Sequence, residues 1–177
     1  MTSDRIDLPA RTGSERQVLL AFLGEHRRVL RETVLVLTDE QARRRLVPSL
    51  TTPMGLLKHG AFVETAWFPC RFGGMTRAEA GIPETVDESF TLDEADTLAG
   101  LARAHELAVA RADTVIGGLD LDDTCEHPAM GTLSLRWVLT HCIRELAQHA
   151  GHAEILVEQI RASPGDAEAP GGKRPTA

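Results

Sequence analysis

The fold is decided by one stretch, residues 132–160, which reads TLSLRWVLTHCIRELAQHAGHAEILVEQI. Apolar residues recur here every three or four positions, which is the period of an α-helix that buries one face. Thr132 or Ser134 can cap the start, because a side-chain oxygen there accepts a hydrogen bond from a free backbone amide. We therefore expect a helix from Leu133 to about Ile160, the longest and most hydrophobic of the chain.

Three further long helices are predicted upstream, each opened by a residue whose side chain can cap the first turn. They cover residues 15–37, 53–68 and 92–116, with Ser14, Thr52 and Thr91 as the caps. A shorter helical turn is expected over 39–46, and long connections over 73–90 and 119–131. Four amphipathic helices with long connections predict an all-α four-helix bundle, a fold whose interior often holds metal sites built from facing helices.

The composition agrees with a single helical domain. The chain has 177 residues, of which 4% are aromatic and none is tyrosine, a mixture that favours helix over sheet. We expect the bundle to span 14–161, with an N-terminal extension over 1–13. The segment 162–177 is rich in Pro, Gly, Ala and charged residues, so a disordered tail is expected there.

The distribution of charge and of apolar residues argues against several classes of partner. The net charge is -7 and the longest basic run is Arg43-Arg44-Arg45, so no nucleic-acid partner is expected. No apolar run approaches the ~20 residues of a membrane span, and residues 1–16 are polar, so we expect a cytoplasmic protein. The three cysteines form no CxxC pair, which argues against disulfides and a cysteine-rich zinc site. A homodimer is left open.

The last helix carries four residues with ionisable side chains, His141, Glu145, His149 and His152. Their spacings of four, four and three place them within a stripe about 80° wide on one face. Apolar residues continue the stripe at both ends, which indicates that it faces the bundle interior. Metal coordination would satisfy a buried carboxylate and several imidazoles together. A solvated face or an i,i+4 ion pair would give the same spacing.

A second helix must complete any metal site, because one helix cannot surround an ion. His59 is the best candidate, since it lies in the middle of the predicted helix over 53–68, with apolar residues three and four positions away. Three protein ligands would leave a position for water or substrate, which is the arrangement of a catalytic site. The alternative is a hydrogen-bonded histidine in the core.

Other polar residues have weaker signals. Arg136 and Arg144 flank the stripe and are candidates to bind an anionic substrate or cofactor, with solvated surface as the alternative. Cys142 is better explained by core packing than by a nucleophilic pair with its neighbour, because adjacent helical residues point about 100° apart. Three histidines lie among charged or loop residues and are expected at the surface without a role: His26, His105 and His127.

Several segments together resemble a known family. They are LTDEQ (37–41), VPS (47–49), GLLKHGAFVE (55–64) and TLSLRWVLTHCIRELAQHAGHAEIL (132–156). Over residues 14–161 the chain resembles the DinB-like (DinB/YfiT-like) superfamily of four-helix metalloproteins. It is similar in particular to the actinobacterial branch related to mycothiol-dependent maleylpyruvate isomerases. The last segment, with Glu-x-x-x-His-x-Gly-His, is the specific part of the resemblance.

The resemblance implies a three-ligand site with one histidine from the second long helix and two ligands from the last helix, here His59, Glu145 and His149. His141 and His152 then line the site, where they could orient a ligand or move a proton. The relatives use a divalent metal to activate a low-molecular-weight thiol. Zinc is the first choice here, with nickel, iron and manganese as alternatives. The predominance of arginine over lysine suits an actinobacterial host, where the thiol would be mycothiol.

The function that this resemblance implies is that of a metal-dependent thiol transferase or isomerase acting on a small electrophilic molecule. Two alternatives use the same site. One is a metal-dependent hydrolase, in which water replaces the thiol, and the other is a non-enzymatic metal-binding stress protein. Gly60 stands where the family more often has leucine, and close backbone approach there is expected to widen the site.

Overall fold

The computed structural model describes residues 11–163, and helices make up most of them. The four long helices are α1 (Glu15–Val34), α3 (Pro53–Thr65), α5 (Leu98–Gly117) and α6 (Leu135–Ala162). The shorter helical segments are α2 (Asp39–Ala42), a π-helix (Ala66–Phe72), α4 (Arg77–Ala80) and a 3-10 turn (Glu88–Phe90). Two short strands, β1 (Thr124–His127) and β2 (Gly131–Ser134), precede α6. The prediction of an all-α four-helix bundle is confirmed.

The long helices pack as two pairs around one core. α1 lies against α6 and α3 lies against α5, while α3 also contacts α1 and α6. Leucines fill the space between them, and Leu23, Leu30, Leu56, Leu139 and Leu146 are completely buried. Because α3 touches all three other long helices, a side chain at its centre can meet the inward face of α6.

An ion pair inside this core links three of the helices. The Nε atom of Arg27 on α1 lies 2.8 Å from Oε1 of Glu64 on α3, and both side chains are buried. The same guanidinium lies 2.7 Å from a carboxylate oxygen of Asp113 on α5. Each buried charge therefore has a partner, which removes most of the penalty of burying it.

The predicted starts of three long helices are confirmed by their caps. The hydroxyl of Ser14 accepts from the amide of Gln17, that of Thr52 from Gly55, and that of Ser134 from Trp137. α2 begins after its predicted cap, Thr38, but ends earlier than expected, at Ala42.

α5 begins later than predicted, since Thr97 and not Thr91 is its N-cap. The intervening segment is held in an irregular conformation by ion pairs. The Nζ atom of Lys58 lies 2.9 Å from a carboxylate oxygen of Asp93 and 2.8 Å from one of Asp96. These contacts with α3 compete with a continuous helix and could not be seen from local propensity.

The second long helix does not end at residue 68 as predicted but continues from α3 into the π-helix. Pro69 lies inside this segment and has no amide hydrogen, so the usual i to i-4 bond is lost there. The wider turn is closed by a hydrogen bond of 2.9 Å from the Gly73 amide to the Phe68 carbonyl, five residues back. Bulges of this kind are frequent at functional sites.

The predicted connection over 119–131 contains an antiparallel hairpin that the sequence did not reveal. Thr124 pairs with Ser134 and His127 pairs with Gly131. Gly131 has a φ of 72°, which glycine adopts without strain. The chain can therefore reverse its direction in a short turn between β1 and β2. The hairpin leads directly into α6.

In the described part of the chain, none of the helices is long and apolar enough to cross a lipid bilayer. The predicted N-terminal extension over 1–13 and the predicted disordered tail over 162–177 lie almost entirely outside the described residues. Both the extension and the tail stay predictions.

Candidate metal centre

The centre of α3 places the His59 imidazole inside the bundle, where only 2% of the residue is exposed. The ring lies flat against Phe90, with centroids 4.0 Å apart and 16° between the planes. Its Nδ1 atom lies 2.7 Å from the hydroxyl oxygen of Ser89. The 3-10 turn that carries Ser89 and Phe90 therefore fixes both the plane and the rotation of the imidazole.

The contact with Ser89 decides which nitrogen of His59 carries the hydrogen. The Ser89 hydroxyl donates its single hydrogen to the carbonyl oxygen of Val86. It must then accept a hydrogen bond from Nδ1 of His59, so Nε2 presents an electron pair. Burial lowers the pKa of His59 more than the neighbouring Glu145 carboxylate raises it, which favours this neutral form.

The carboxylate of Glu145 on α6 faces that electron pair. Its Oε1 atom lies 3.3 Å from Nε2 of His59 and 3.7 Å from Nε2 of His149. Its Oε2 atom lies 2.9 Å from Nε2 of His141. Burial alone would raise the pKa of Glu145, but the neighbouring imidazoles, His141 first among them, hold the pKa well below its usual range. The carboxylate is therefore ionised at neutral pH.

His149 brings a third donor from the next turn of α6. Its ring meets the His59 ring edge to face, with centroids 4.8 Å apart and 89° between the planes. Both ring nitrogens are buried and have no hydrogen-bond partner among residues 11–163. An unsatisfied buried polar atom costs about 1–3 kcal/mol, and a bound ion would relieve that cost at His149.

The three residues fit a divalent metal ion. One donor atom from each of His59, Glu145 and His149 lies within 4.8 Å of the others. Two bonds of ~2.2 Å span at most about 4.4 Å, so a small inward movement of these side chains would bring all three onto one ion. An imidazole electron pair and a carboxylate oxygen at 3.3 Å repel each other unless a cation lies between them. Two nitrogen donors and one oxygen donor suit zinc and neighbouring transition metals.

His141 lies beside this group and contacts it through Glu145. The guanidinium of Arg144 lies 3.2 Å from Nδ1 of His141, and a guanidinium can only donate. The hydrogen of a neutral His141 is therefore on Nε2 and points at the Glu145 carboxylate. The His141 ring also stacks on Trp137, with centroids 5.1 Å apart and 9° between the planes. His141 is thus placed to orient the carboxylate, and Arg144 to orient His141.

Known proteins resemble this chain in sequence and in fold. The sequence profile of the family described as mycothiol-S-transferase matches residues 18–162. The chain belongs to this family. Mycothiol-S-transferases are part of the DinB-like superfamily, so the resemblance stated from the sequence segments is confirmed.

A solved structure of another protein has the same helical bundle as this member of the mycothiol-S-transferase family. It is the crystal structure of a conserved protein from Enterococcus faecalis, with a TM-score of 0.64 and 14% sequence identity. The match covers 86% of this chain and 100% of that chain. At this identity the likeness shows the fold alone. No curated protein matches the chain.

A cleft of about 160 Å³ opens beside His59 and Glu145. Trp67, in the π-helix, forms one wall and lies against His127 of β1, with ring centroids 5.5 Å apart. The His141 ring lies edge to face with the same indole, with ring centroids 4.9 Å apart. His127 is partly exposed, and the hairpin brings it to the rim of this cleft, which the sequence did not indicate.

Two arginines also line the cleft, Arg71 from the π-helix and Arg77 from α4. Neither is among the site residues predicted from the sequence. Both lie in the segment after the second predicted helix, where no hydrophobic period indicates which side chains point inward. Their position follows from the π-helix and from the packing of α4 against it.

Two of the predicted site residues lie further from the three proposed metal ligands, His59, Glu145 and His149. His152 is exposed, with its ring centroid 6.2 Å from that of His149, and it lines a separate groove of about 220 Å³. Arg136 lines neither cavity, since its guanidinium lies 2.7 Å from Glu15 and also pairs with Asp122. The roles predicted for His152 and Arg136 stay predictions.

His105 is not the surface histidine expected from its charged neighbours. It is completely buried, while the adjacent Arg103 and Glu106 are exposed. A Cβ atom on Gly60 would lie 3.0 Å from a methyl carbon of Leu30 and 3.3 Å from a ring carbon of His105. Gly60 therefore makes room for His105 in the core, and the expectation that it widens the metal site is wrong.

Proposed function

We propose that this chain is a metal-dependent S-transferase that joins a low-molecular-weight thiol, mycothiol, to a small electrophile. The proposed ligands of the ion, preferably zinc, are His59, Glu145 and His149. The 3.3 Å approach between the His59 electron pair and the Glu145 carboxylate carries the proposal, because it calls for a cation between two electron-rich atoms. The family to which the chain belongs is named for the thiol and for the transfer.

A divalent ion bound by these residues supplies one effect, a lower pKa of a coordinated thiol. The protein supplies the orientation of the donors. Ser89 accepts a hydrogen bond from His59, and His141 donates one to Glu145. These contacts hold the two proposed metal ligands, His59 and Glu145, toward the same point. Outer contacts of this kind typically change metal affinity by about 10–100-fold.

The proposed reaction forms one bond between sulfur and carbon. The thiol loses its proton, for which the exposed His152 beside His149 is the proposed acceptor. The sulfur electron pair then forms the C–S bond. With an α,β-unsaturated electrophile, the π electron pair of the C=C bond moves to the neighbouring carbon, which takes up a proton. One proton is released and one is taken up, and no oxidant is needed.

The test uses zinc-loaded protein with mycothiol and dimethyl fumarate. We expect the thioether product to form faster than in the uncatalysed reaction. The acceleration should be lost in Glu145→Gln and in His149→Gln. It should be kept in Glu154→Gln, a matched control because Glu154 is an exposed residue of the same helix.

Folded, zinc-loaded protein that gives no acceleration would overturn the proposal. Release of methanol from dimethyl fumarate by the protein without thiol would also contradict it. That result would favour the hydrolase alternative, since the probe is an ester as well as an electrophile.

A further inference from the structure

The cleft beside His59 and Glu145 contains two guanidinium groups without a carboxylate partner. The Arg71 guanidinium makes no hydrogen bond or ion pair with any residue in 11–163. Arg77 donates to two backbone carbonyl oxygens and lies over the Phe62 ring, with its guanidinium carbon 5.4 Å from the centroid. Both groups keep hydrogen-bond donors free for a ligand, because each guanidinium has five N–H bonds.

A shortage of acidic residues does not explain these unmatched charges. The chain has 26 Asp and Glu residues against 19 Lys and Arg, so carboxylates are in excess. Several other guanidinium groups in the described chain are matched by carboxylates, as in Arg27–Glu64, Arg28–Glu25 and Arg136–Glu15. The Glu145 carboxylate also lines the cleft, so the two guanidinium groups leave an excess of positive charge there, which attracts an anionic ligand.

The same cleft has an aromatic wall. The Trp67 ring stacks with the His127 ring, with 22° between their planes. Trp137 completes the aromatic cluster, with its ring centroid 6.0 Å from that of Trp67. Such a surface favours planar, unsaturated groups. The cleft therefore combines recognition of an anion with recognition of a planar group, next to the proposed metal ligands.

We propose that Arg71 and Arg77 bind a carboxylate of the electrophile, and that its unsaturated part lies against Trp67. This inference rests on the proposed function and adds the substrate class, a planar electrophile that carries a carboxylate. Arg71 and Arg77 then take the anion-binding role that the sequence suggested for Arg136 and Arg144. Guanidinium pairs with carboxylates are often bidentate, so the contact would also orient the substrate.

Binding can be tested without turnover, because the chain has two tryptophans and no tyrosine. Trp67 and Trp137 lie in or beside the cleft, so intrinsic fluorescence reports on it. Benzoate and benzamide are unreactive probes of the same shape that differ in charge. We expect benzoate to change the fluorescence of zinc-loaded protein with at least a 10-fold lower Kd than benzamide, and Arg71→Gln to remove that preference.

The control for loss of charge is Arg103→Gln, since Arg103 is exposed on α5 and does not line the cleft. It should bind benzoate like the unaltered protein. Within residues 11–163 the Arg71 guanidinium has no hydrogen-bond partner to lose, so Arg71→Gln should fold normally. Equal binding of benzoate and benzamide to the unaltered protein would overturn the proposal, whatever the result of the turnover test.

Turnover then assigns the anion to the electrophile or to the thiol. Monomethyl fumarate is anionic and dimethyl fumarate is neutral, and each rate is divided by its uncatalysed rate with mycothiol. We expect Arg71→Gln to lower kcat/KM at least 10-fold for the monoester and less than 2-fold for the diester. If Arg71→Gln instead raises the KM for mycothiol equally with both esters, relative to the unaltered protein, the thiol binds in the cleft and the proposal is contradicted. Selective benzoate binding without any turnover would leave the subsite standing and overturn the proposed function instead.

Discussion

At the scale of single residues, the candidate metal centre depends on hydrogen bonds that decide which atom of each ring faces the proposed ion. Ser89 determines the tautomer of His59, and Arg144 does the same for His141. Both partners lie outside the donor group. The orientation of the donors therefore depends on residues that never touch the ion.

Ser89→Ala tests this dependence. Without the hydroxyl, Nδ1 of His59 loses its acceptor, and we expect the affinity for zinc to fall by about 10–100-fold with the fold intact. Competition with a chromophoric chelator measures the affinity. Thr114→Ala removes a hydroxyl from an exposed position of α5 and should leave the affinity unchanged. Equal affinities for the two variants would show that Ser89 does not orient the imidazole.

His105 gives a pH dependence of stability. Burial, helped by the charges of Arg31 and Arg27, lowers the pKa of His105 from 6.5 to about 4. Between these pH values the unfolded chain takes up a proton that the folded protein does not, so stability falls as the pH decreases from 6.5 to 4. Below pH 4 both states are protonated and the loss stops at about 3 kcal/mol.

The measurement is urea unfolding of unaltered protein and His105→Leu at several pH values between 7 and 4, in the presence of a metal chelator. Other titrating groups are common to both proteins, so the difference isolates His105. We expect the unaltered protein to lose more stability than the variant over this range. Parallel pH profiles would show that His105 is not held neutral by burial.

Some of these residues could be predicted from the sequence. The four-residue spacing of His141, Glu145 and His149 fixes the relative directions of their side chains as soon as the segment is a helix. Ser89 and Arg71 follow no such rule, because they lie in segments whose course depends on tertiary packing. Sequence periodicity therefore finds donors on a long helix and misses the groups that loops bring to them.

At the scale of secondary structure elements, local chemistry predicted the helix caps Ser14 and Thr52 correctly and left Thr132 or Ser134 for the last helix, of which Ser134 is the cap. It failed at Thr91, where contacts of Lys58 with the following acidic residues outweigh a good local capping signal. The π-helix and the hairpin were missed for a related reason. Both are stabilised by packing with neighbouring elements. The pattern of residue types within one segment carries no information about that packing.

The pairing of α3 with α1 and α5 gives a prediction at this scale. A methyl group at Gly60 would press on Leu30 and His105, so we expect Gly60→Ala to destabilise the protein by about 1–3 kcal/mol. A Cβ atom added to Gly24, on α1, would have no atom of the described residues within 4 Å apart from the neighbouring backbone of its own helix. Gly24→Ala should therefore stabilise the protein by about 0.5–1 kcal/mol, through helix propensity alone. Thermal unfolding of both variants is the measurement, and a gain in stability for Gly60→Ala would contradict the packing described.

At the scale of the whole molecule, the bundle brings a donor from α3 to a stripe of donors on α6. Four amphipathic helices were enough to predict the fold class. The order in which they pack was not predictable from amphipathic faces alone, because each face can bury itself against several partners. The meeting of His59 with Glu145 and His149 follows from that packing.

The central claim is that these three residues bind one divalent ion, and zinc binding to chelator-treated protein tests it most directly. We predict one zinc per chain, and at a zinc concentration of 100 times Kd an increase in Tm of about 5–10 °C. Both effects should be lost in Glu145→Gln and kept in Glu154→Gln. Unaltered protein that binds no zinc, or Glu145→Gln protein that binds it equally well, would contradict the account.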